Sequence, residues 1–296
     1  MFVIIGIVIV IGAILGGYLM EHGNIRALVQ PAELVIIGGA ALGTVLIANP
    51  LHILKKIAGG LAGVFGSSKY GKAHYLESLK MLYELFSRAR KEGLMALESD
   101  SDNPEQSPVF SKYPRFLKDR HALPFVCDTI RMAAGGGIEP FDVDQMIEND
   151  MEAHHRDMAQ PVAALSTMAD ALPGLGIVAA VLGVVITMGA LGGPPEEIGH
   201  KVAALVGTFL GILLCYGFIG PIAANMLKST EAEHAFYQVT RVVIVSFIKG
   251  SPPTIAVEFG RRAIPGNVRP TFQETEKYIK DKGGDAPAAP PVEKPA

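Results

Sequence analysis

None of the long apolar stretches in this 296-residue chain carries an Asp, Glu, Lys, Arg or His near its centre. An ionisable side chain in mid-membrane is costly and usually marks an ion or proton route. Without one, a self-contained pump, channel or transporter has little to work with. Cysteine is scarce as well: Cys127 and Cys215 stand alone and form no disulfide framework. The histidines lack metal-site spacing, since His154 and His155 are adjacent and no H-E-x-x-H occurs. Phosphate-binding glycine loops, nucleophile elbows and Cys-x-x-Cys pairs are missing too. Enzyme chemistry and a bound cofactor therefore have no foothold. No internal repeat is visible, which argues against an inverted-repeat transporter. A formal charge of −3 and a pI near 6.2 give no basic surface for nucleic acid.

Apolar residues, by contrast, are plentiful. They make up 49% of the chain, with a mean hydropathy of +0.33, and they cluster. A helical span needs about 20 of them in a row. Four runs approach that length: 2–20, 34–54, 171–193 and 202–227. The second is blurred by Asn49, Pro50 and His52. The first lacks a basic leader and an A-x-A-like site, so it reads as an uncleaved span rather than a signal peptide. The fold class expected is an all-α integral membrane protein, with four transmembrane helices and a helical cytoplasmic insert between the second and third. The domains are a hairpin over 1–54, the insert over 55–160, a second hairpin over 161–227, a helical tail over 228–284 and a disordered end over 285–296. Fourteen Lys and Arg residues fall from Lys55 to Arg156 and ten beyond the last run. Arg26 and Lys201 are the only ones in the two remaining connections, 21–33 and 194–201. Positive residues stay inside, so both termini and the insert are placed in the cytoplasm.

Within the insert, Lys72–Leu97 has helical periodicity. Leu76, Leu79, Leu82 and Phe86 form one stripe, and Lys80, Glu84, Arg88, Lys91 and Glu92 the other. Gly93 breaks or bends it. Residues 100–108 read as a turn, 113–120 and 123–134 as short helices, and Gly135–Gly137 as a stop. A helical pattern from Asp142 runs through Asp170 into the third span. The fourth span continues past Lys228 towards Lys249, and Ser251-Pro252-Pro253 ends it.

Several residues have two readings. Pro173 and Pro221 either mark span ends or kink the helices and free a carbonyl. Thr187 and Thr208 either bond back to their own helix or line a hydrated path. Asp170 reads as a helix-end residue that water can reach. Gly12/Gly16, Gly39/Gly43 and Gly207/Gly211 have the small-xxx-small spacing of close helix contacts, within the chain or around another subunit. Arg88, Arg90 and Lys91 with Glu92 and Glu98 describe a solvated helix face or a charged docking face.

Longer strings carry a resemblance. They are Gly16–Met20, Gln30–Ile37, Ser68–Tyr70, Tyr113–Arg115, Leu172–Val181, Val206–Leu214 and Ile255–Arg261. In this order they resemble the MotA family of flagellar motor stator subunits, in its longer form. The resemblance implies a homopentamer in the bacterial inner membrane around a MotB-like, peptidoglycan-anchored dimer. The partner brings the one aspartate that takes the ion, and a cytoplasmic face pushes the rotor protein FliG. On that basis Arg90 and Glu98 match the rotor-facing charges, with Arg88 and Lys91 beside them. Pro173, Thr208, Pro221 and Ala180, with Thr187, match the ion path and its gate. Sodium-driven relatives have a threonine at the position of Ala180. Alanine offers no oxygen ligand, so the coupling ion expected is the proton, with sodium the alternative. The competing family reading is an ExbB/TolQ-like proton-channel subunit, which usually has three spans.

Overall fold

A computed structural model describes residues 2–66, 69–189 and 206–281, leaving aside the side chains of Arg26 and Ala27. The expected outer connection 194–201, its flanks 190–193 and 202–205, and the tail 285–296 lie outside the described residues. Among the described residues the secondary structure is entirely helical. Ten helices carry labels here: α1 (Phe2–Met20), α2 (Pro31–Ala48), α3 (Leu51–Val64), α4 (Lys72–Glu92), α5 (Met95–Asp102), α6 (Ala122–Ala134), α7 (Pro140–Met188), α8 (Gly207–Ile248), α9 (Pro253–Ala263) and α10 (Phe272–Lys280). Of these, α1, α2, α7 and α8 are long and apolar enough to cross a membrane.

The chain divides into two compact units, Met1–Ser67 with Arg156–Thr230, and Ser68–His155 with Glu231–Ala296. In the first, α1 buries no residue fully and leaves one apolar face uncovered, while Val3, Ile7, Val10, Ile14 and Leu15 are half-buried. Helix α2 turns one stripe inward, Glu33, Ile37 and Ala41, spaced i, i+4, i+8. Ile37 and Ala41 pack against Ala169, Leu172 and Ala179 of α7 and Cys215 of α8. The run expected over 34–54 is two helices. Pro50 has no N–H to continue the ladder and disfavours helical geometry at Asn49, so α2 ends at Ala48. Leu51–Leu54 therefore opens α3, whose Ile53, Ile57 and Val64 pack around Ala164, Val162 and Leu165 of α7. Pro161 lies inside α7, where it can give no bond to the Asp157 carbonyl. The Lys56 ammonium donates to that carbonyl at 3.5 Å and sits 3.6 Å from the Asp157 carboxylate.

In the second unit α4 is the central element. Tyr75, Leu79, Leu82, Leu85 and Phe86 are buried with Phe110, Val126, Ile130, Ile147, Phe236 and Val243. The two-faced helix read from the sequence needs correcting here. Leu76 is only half-buried, while Lys80 is buried, donates to the Asp281 carbonyl at 2.7 Å and sits over the Tyr278 ring at 5.2 Å. The cause is the C-terminal segment: α9 and α10 both pack on α4 and cover the side that sequence periodicity assigns to water. At Gly260 of α9 a side chain would run into Val243, so only glycine lets α9 approach this closely. Helix α4 stops at Gly93, φ +90, a conformation that side chains rarely adopt. Asp100–Asp102, expected in a turn, complete α5 instead. A capping box of Thr271 and Glu274 starts α10.

His74 of α4 is buried, with ring centroids 4.8 Å from Phe236 and 5.6 Å from Tyr70, and its Nε2 has no hydrogen-bond partner. Burial holds its pKa down at about 4, from an ordinary 6.5. Between those values the unfolded chain binds a proton that the folded chain refuses, so stability falls as pH drops through that window. We expect His74→Phe to lessen this acid sensitivity by on the order of 1–3 kcal/mol. Thermal melts of the purified protein from pH 7 to pH 4 would show it as a flatter profile than that of the unmodified chain.

Candidate functional site

In the first unit α7 and α8 meet backbone to backbone. A Cβ added to Gly211 would stand 2.5 Å from the Leu172 carbonyl oxygen and 2.9 Å from the Gly176 Cα. One added to Gly176 would stand 2.9 Å from the Gly207 carbonyl oxygen and 3.2 Å from the Thr208 Cα. Three glycines on two helices thus remove the side chains that would hold the helices apart. Of the three small-residue pairs, only Gly207/Gly211 is used in this way. At Gly12, Gly16, Gly39 and Gly43 an added Cβ meets nothing within 4 Å.

This crossing brings part of the expected ion-path set together. Pro173 and Ala180 bracket the stretch of α7 that lies against Gly207–Gly211, and both are half-buried. Pro173 leaves the Ala169 carbonyl without its helical donor. Ala179, beside Ala180, is fully buried at Gly207. Thr208 is half-buried, and its hydroxyl has no hydrogen-bond partner among the described residues. Thr187 donates to the Gly183 carbonyl at 2.8 Å, which is the back-bonded arrangement. Pro221 is exposed and lies beyond the crossing.

The neighbourhood of Pro221 holds a feature the sequence does not announce. Leu213–Ile219 is π-helical, and the Gly220 N–H bonds to the Cys215 carbonyl. A proline ring at 221 clashes with the carbonyl four residues back, at Gly217, in a regular helix. Widening the turn moves that carbonyl away. Such π segments are rare and are concentrated at functional sites.

The sequence places Asp170 as the carboxylate at the ends of the last two spans, and the structure adds a second, from the start of α2. Glu33 of α2 is 3% exposed and its carboxylate lies on Gly207 of α8, where any side chain would displace it. Its Oε2 is buried without a hydrogen-bond partner. In sequence Glu33 follows Pro31 in the first turn, where an acid commonly stabilises a helix start. That the α2 stripe turns towards α8 is a matter of packing. The available signal was the i, i+4, i+8 alignment of Glu33 with Ile37 and Ala41.

The charged residues form a separate group in the second unit. Arg88 donates to Glu92 at 2.8 Å and to Asp100 at 2.7 Å, and Asp100 also accepts from Ser107 at 2.7 Å. Hydrogen bonding to Glu92 raises the Arg88 pKa above its ordinary value. Asp100 is 1% exposed, so Arg88 ties α4 to α5 from inside. Arg90 is exposed and donates to the Gly250 carbonyl at 2.9 Å. Lys91 is exposed and Glu98 half-buried in the first turn of α5. The sequence grouped Arg88 and Lys91 beside Arg90 and Glu98, and the structure separates Arg88 from the other three.

Known proteins match the chain over most of its length. Residues 4–93 match the Motility protein A N-terminal family, and residues 119–237 match the MotA/TolQ/ExbB proton channel family. The chain is similar to Motility protein A of Escherichia coli (strain K12), 40% identical over 281 residues that cover 95% of each chain. It is 34% identical to Chemotaxis protein LafT of Vibrio parahaemolyticus, over 95% of this chain and 99% of that one. Two solved structures share the fold. The flagellar MotAB stator complex from Bacillus subtilis superposes with a TM-score of 0.69 at 23% identity, covering 86% of this chain and 92% of that one. C. jejuni MotAB gives 0.75 at 18%, covering 91% and 98%.

Two substitutions check the geometry. Gly211→Ala should lower the melting temperature in detergent by several degrees, roughly 1–2 kcal/mol, while Gly174→Ala, with open space around it, should not. Arg88→Ala strands the buried Asp100 carboxylate and should cost the second unit about 2–3 kcal/mol in a denaturant titration.

Proposed function

The chain belongs to the motility protein A family, and from that premise we propose the following working assembly for a membrane-embedded subunit of the flagellar motor stator. Five copies surround two copies of a MotB-like partner in the bacterial inner membrane. α1, α2, α7 and α8 cross it, both termini are cytoplasmic, and the unit built around α4 faces the rotor protein FliG. Ions passing between α7, α8 and the partner's span neutralise the partner's aspartate in turn, and each step turns the pentamer.

The observation that carries this reading is the α7–α8 crossing, a wall of glycine and alanine with Thr208 in it and Glu33 at its edge. Such a wall cannot carry ions alone. It fits a carboxylate supplied from outside the chain, flanked by Pro173 and by the π segment before Pro221. A charge in the bilayer centre costs ~2.5–3.5 kcal/mol or more, so protonation strongly changes where that group is stable. The membrane potential supplies about 2.3 kcal/mol per charge per 100 mV. The uncovered apolar surface of α1 and the open glycines of α1 and α2 leave room for neighbouring subunits and lipid. Ala180 offers no oxygen to a hard cation, which favours protons. Arg90 and Glu98, with Lys91, are our choice for the contact with FliG. Arg88 serves that face by holding α5 in place. An ExbB/TolQ-type role shares the match over 119–237 but leaves the match over 4–93 without a purpose.

Deleting the gene in its native host should leave normal flagellar filaments, visible by electron microscopy, that do not rotate. Normal swimming with impaired outer-membrane uptake would favour the other branch. Arg90→Glu should cut stall torque severalfold in tethered cells with unchanged membrane levels, because it reverses one exposed charge. Loss of the protein from the membrane would make Arg90 structural.

A further inference from the structure

Resting on the stator reading, we propose that Glu33 is a proton-accepting station in the wall of the ion path, on the outer approach to the α7–α8 crossing. The argument begins with burial. Glu33 is 3% exposed, and its Oε2 finds no hydrogen-bond partner among the described residues. A buried carboxylate in that condition is tolerated only with a proton on it or a cation beside it. No ion pair with Lys, Arg or His reaches it among the described residues. Within the elements packed against it, α7 from Leu172 to Gly189 and α8 from Val206 to Leu227, the titratable groups are Cys215 and Tyr216. Asp170 is farther back along α7. Among the described residues, therefore, the position has a demand for positive charge and no group to meet it.

The surroundings are shaped for the carboxylate. Gly207 receives it, and a side chain at that position would overlap both Glu33 and Ala179. Gly207 precedes Thr208 and Ala179 precedes Ala180, so the carboxylate meets the crossing one residue along each helix from a residue of the proposed path. Ile37 and Ala41 continue the same stripe of α2 into the apolar cluster. The acid is the polar end of a stripe that is otherwise sealed. A proton arriving in the path binds Oε2 and gives the neutral acid. It leaves to water in the path on the way to the partner's carboxylate, and Glu33 returns to its starting form. No electrons move.

The test uses the full chain with its MotB-like partner in the deletion strain. Rotation speed is measured in bead-tagged filaments, and stator number from a fluorescent fusion. Loss of rotation on deletion and its return with the unmodified gene are read first, and a deletion strain that swims normally defeats the stator reading before Glu33 is touched. Glu33→Gln should then accumulate and join the motor but turn severalfold slower, less than the roughly 10²–10⁴-fold of a group that transfers the proton in the reacting step, because water in the path keeps a slower route open. The deficit should deepen as external pH rises, because a capturing group matters most when protons are scarce. Glu33→Asp, which keeps a carboxyl, should recover part of the speed. Wild-type speed for Glu33→Gln, or an equal slowing at every pH, overturns the proposal. So does a speed that follows external sodium rather than external pH. If Glu33→Gln fails to accumulate, Glu33→Asp decides: a pH-steepened deficit supports the station, and a flat profile or absence from the membrane shows a packing residue.

Discussion

The contact of Gly176 with Gly207 and Gly211 is the constraint on which the membrane unit depends. In lipid there is no hydrophobic drive to bring helices together, so association rests on close packing and on polar contacts. Three missing side chains let α7 and α8 touch along their backbones. That proximity decides what is presented around it. Pro173, Ala180 and Thr208 become neighbours of one seam rather than separate features of two helices. It also leaves no room for a side chain at Gly207, the space that Glu33 takes.

Both helices of the seam have interrupted hydrogen-bond ladders. Pro173 withdraws a donor from α7, and Leu213–Ile219 in α8 is wound with i→i+5 bonds ahead of Pro221. Helices change direction or register most cheaply at such places. A rigid glycine contact flanked by two deformable turns is a reasonable construction for an element that must pass through discrete steps. The proline at 161 is different: Lys56 serves the carbonyl it frees, so that interruption is filled.

Charge is handled differently in the two units. In the second unit buried charge is paired, as Arg88 with Asp100, or capped by carbonyls, as Lys80 with Asp281. His74 is kept neutral by burial. In the membrane unit the walls are almost wholly apolar, and Glu33 is the buried exception. A buried carboxylate with no partner among the described residues is costly in such surroundings.

Much of this was legible along the chain. Apolar runs of the right length located α1 and the long helices, prolines and Gly93 located their ends, and the unbroken pattern from Asp142 foretold a helix that continues into the third run. These features depend on backbone chemistry and local periodicity, which a sequence carries directly. The strings around Pro173 and Thr208 also pointed to the family. Other features depended on which faces meet in three dimensions. Lys80 reads as a surface residue until α9 and α10 cover it. Arg88 and Arg90 look alike until Asp100 takes one of them inward. Glu33 reads as a helix-start acid until α2 turns its stripe onto α8. Periodicity shows that a helix has faces, but the partners of each face lie elsewhere in the chain, 12 residues on for Arg88 with Asp100 and 201 for Lys80 with Asp281, and only tertiary packing assigns them.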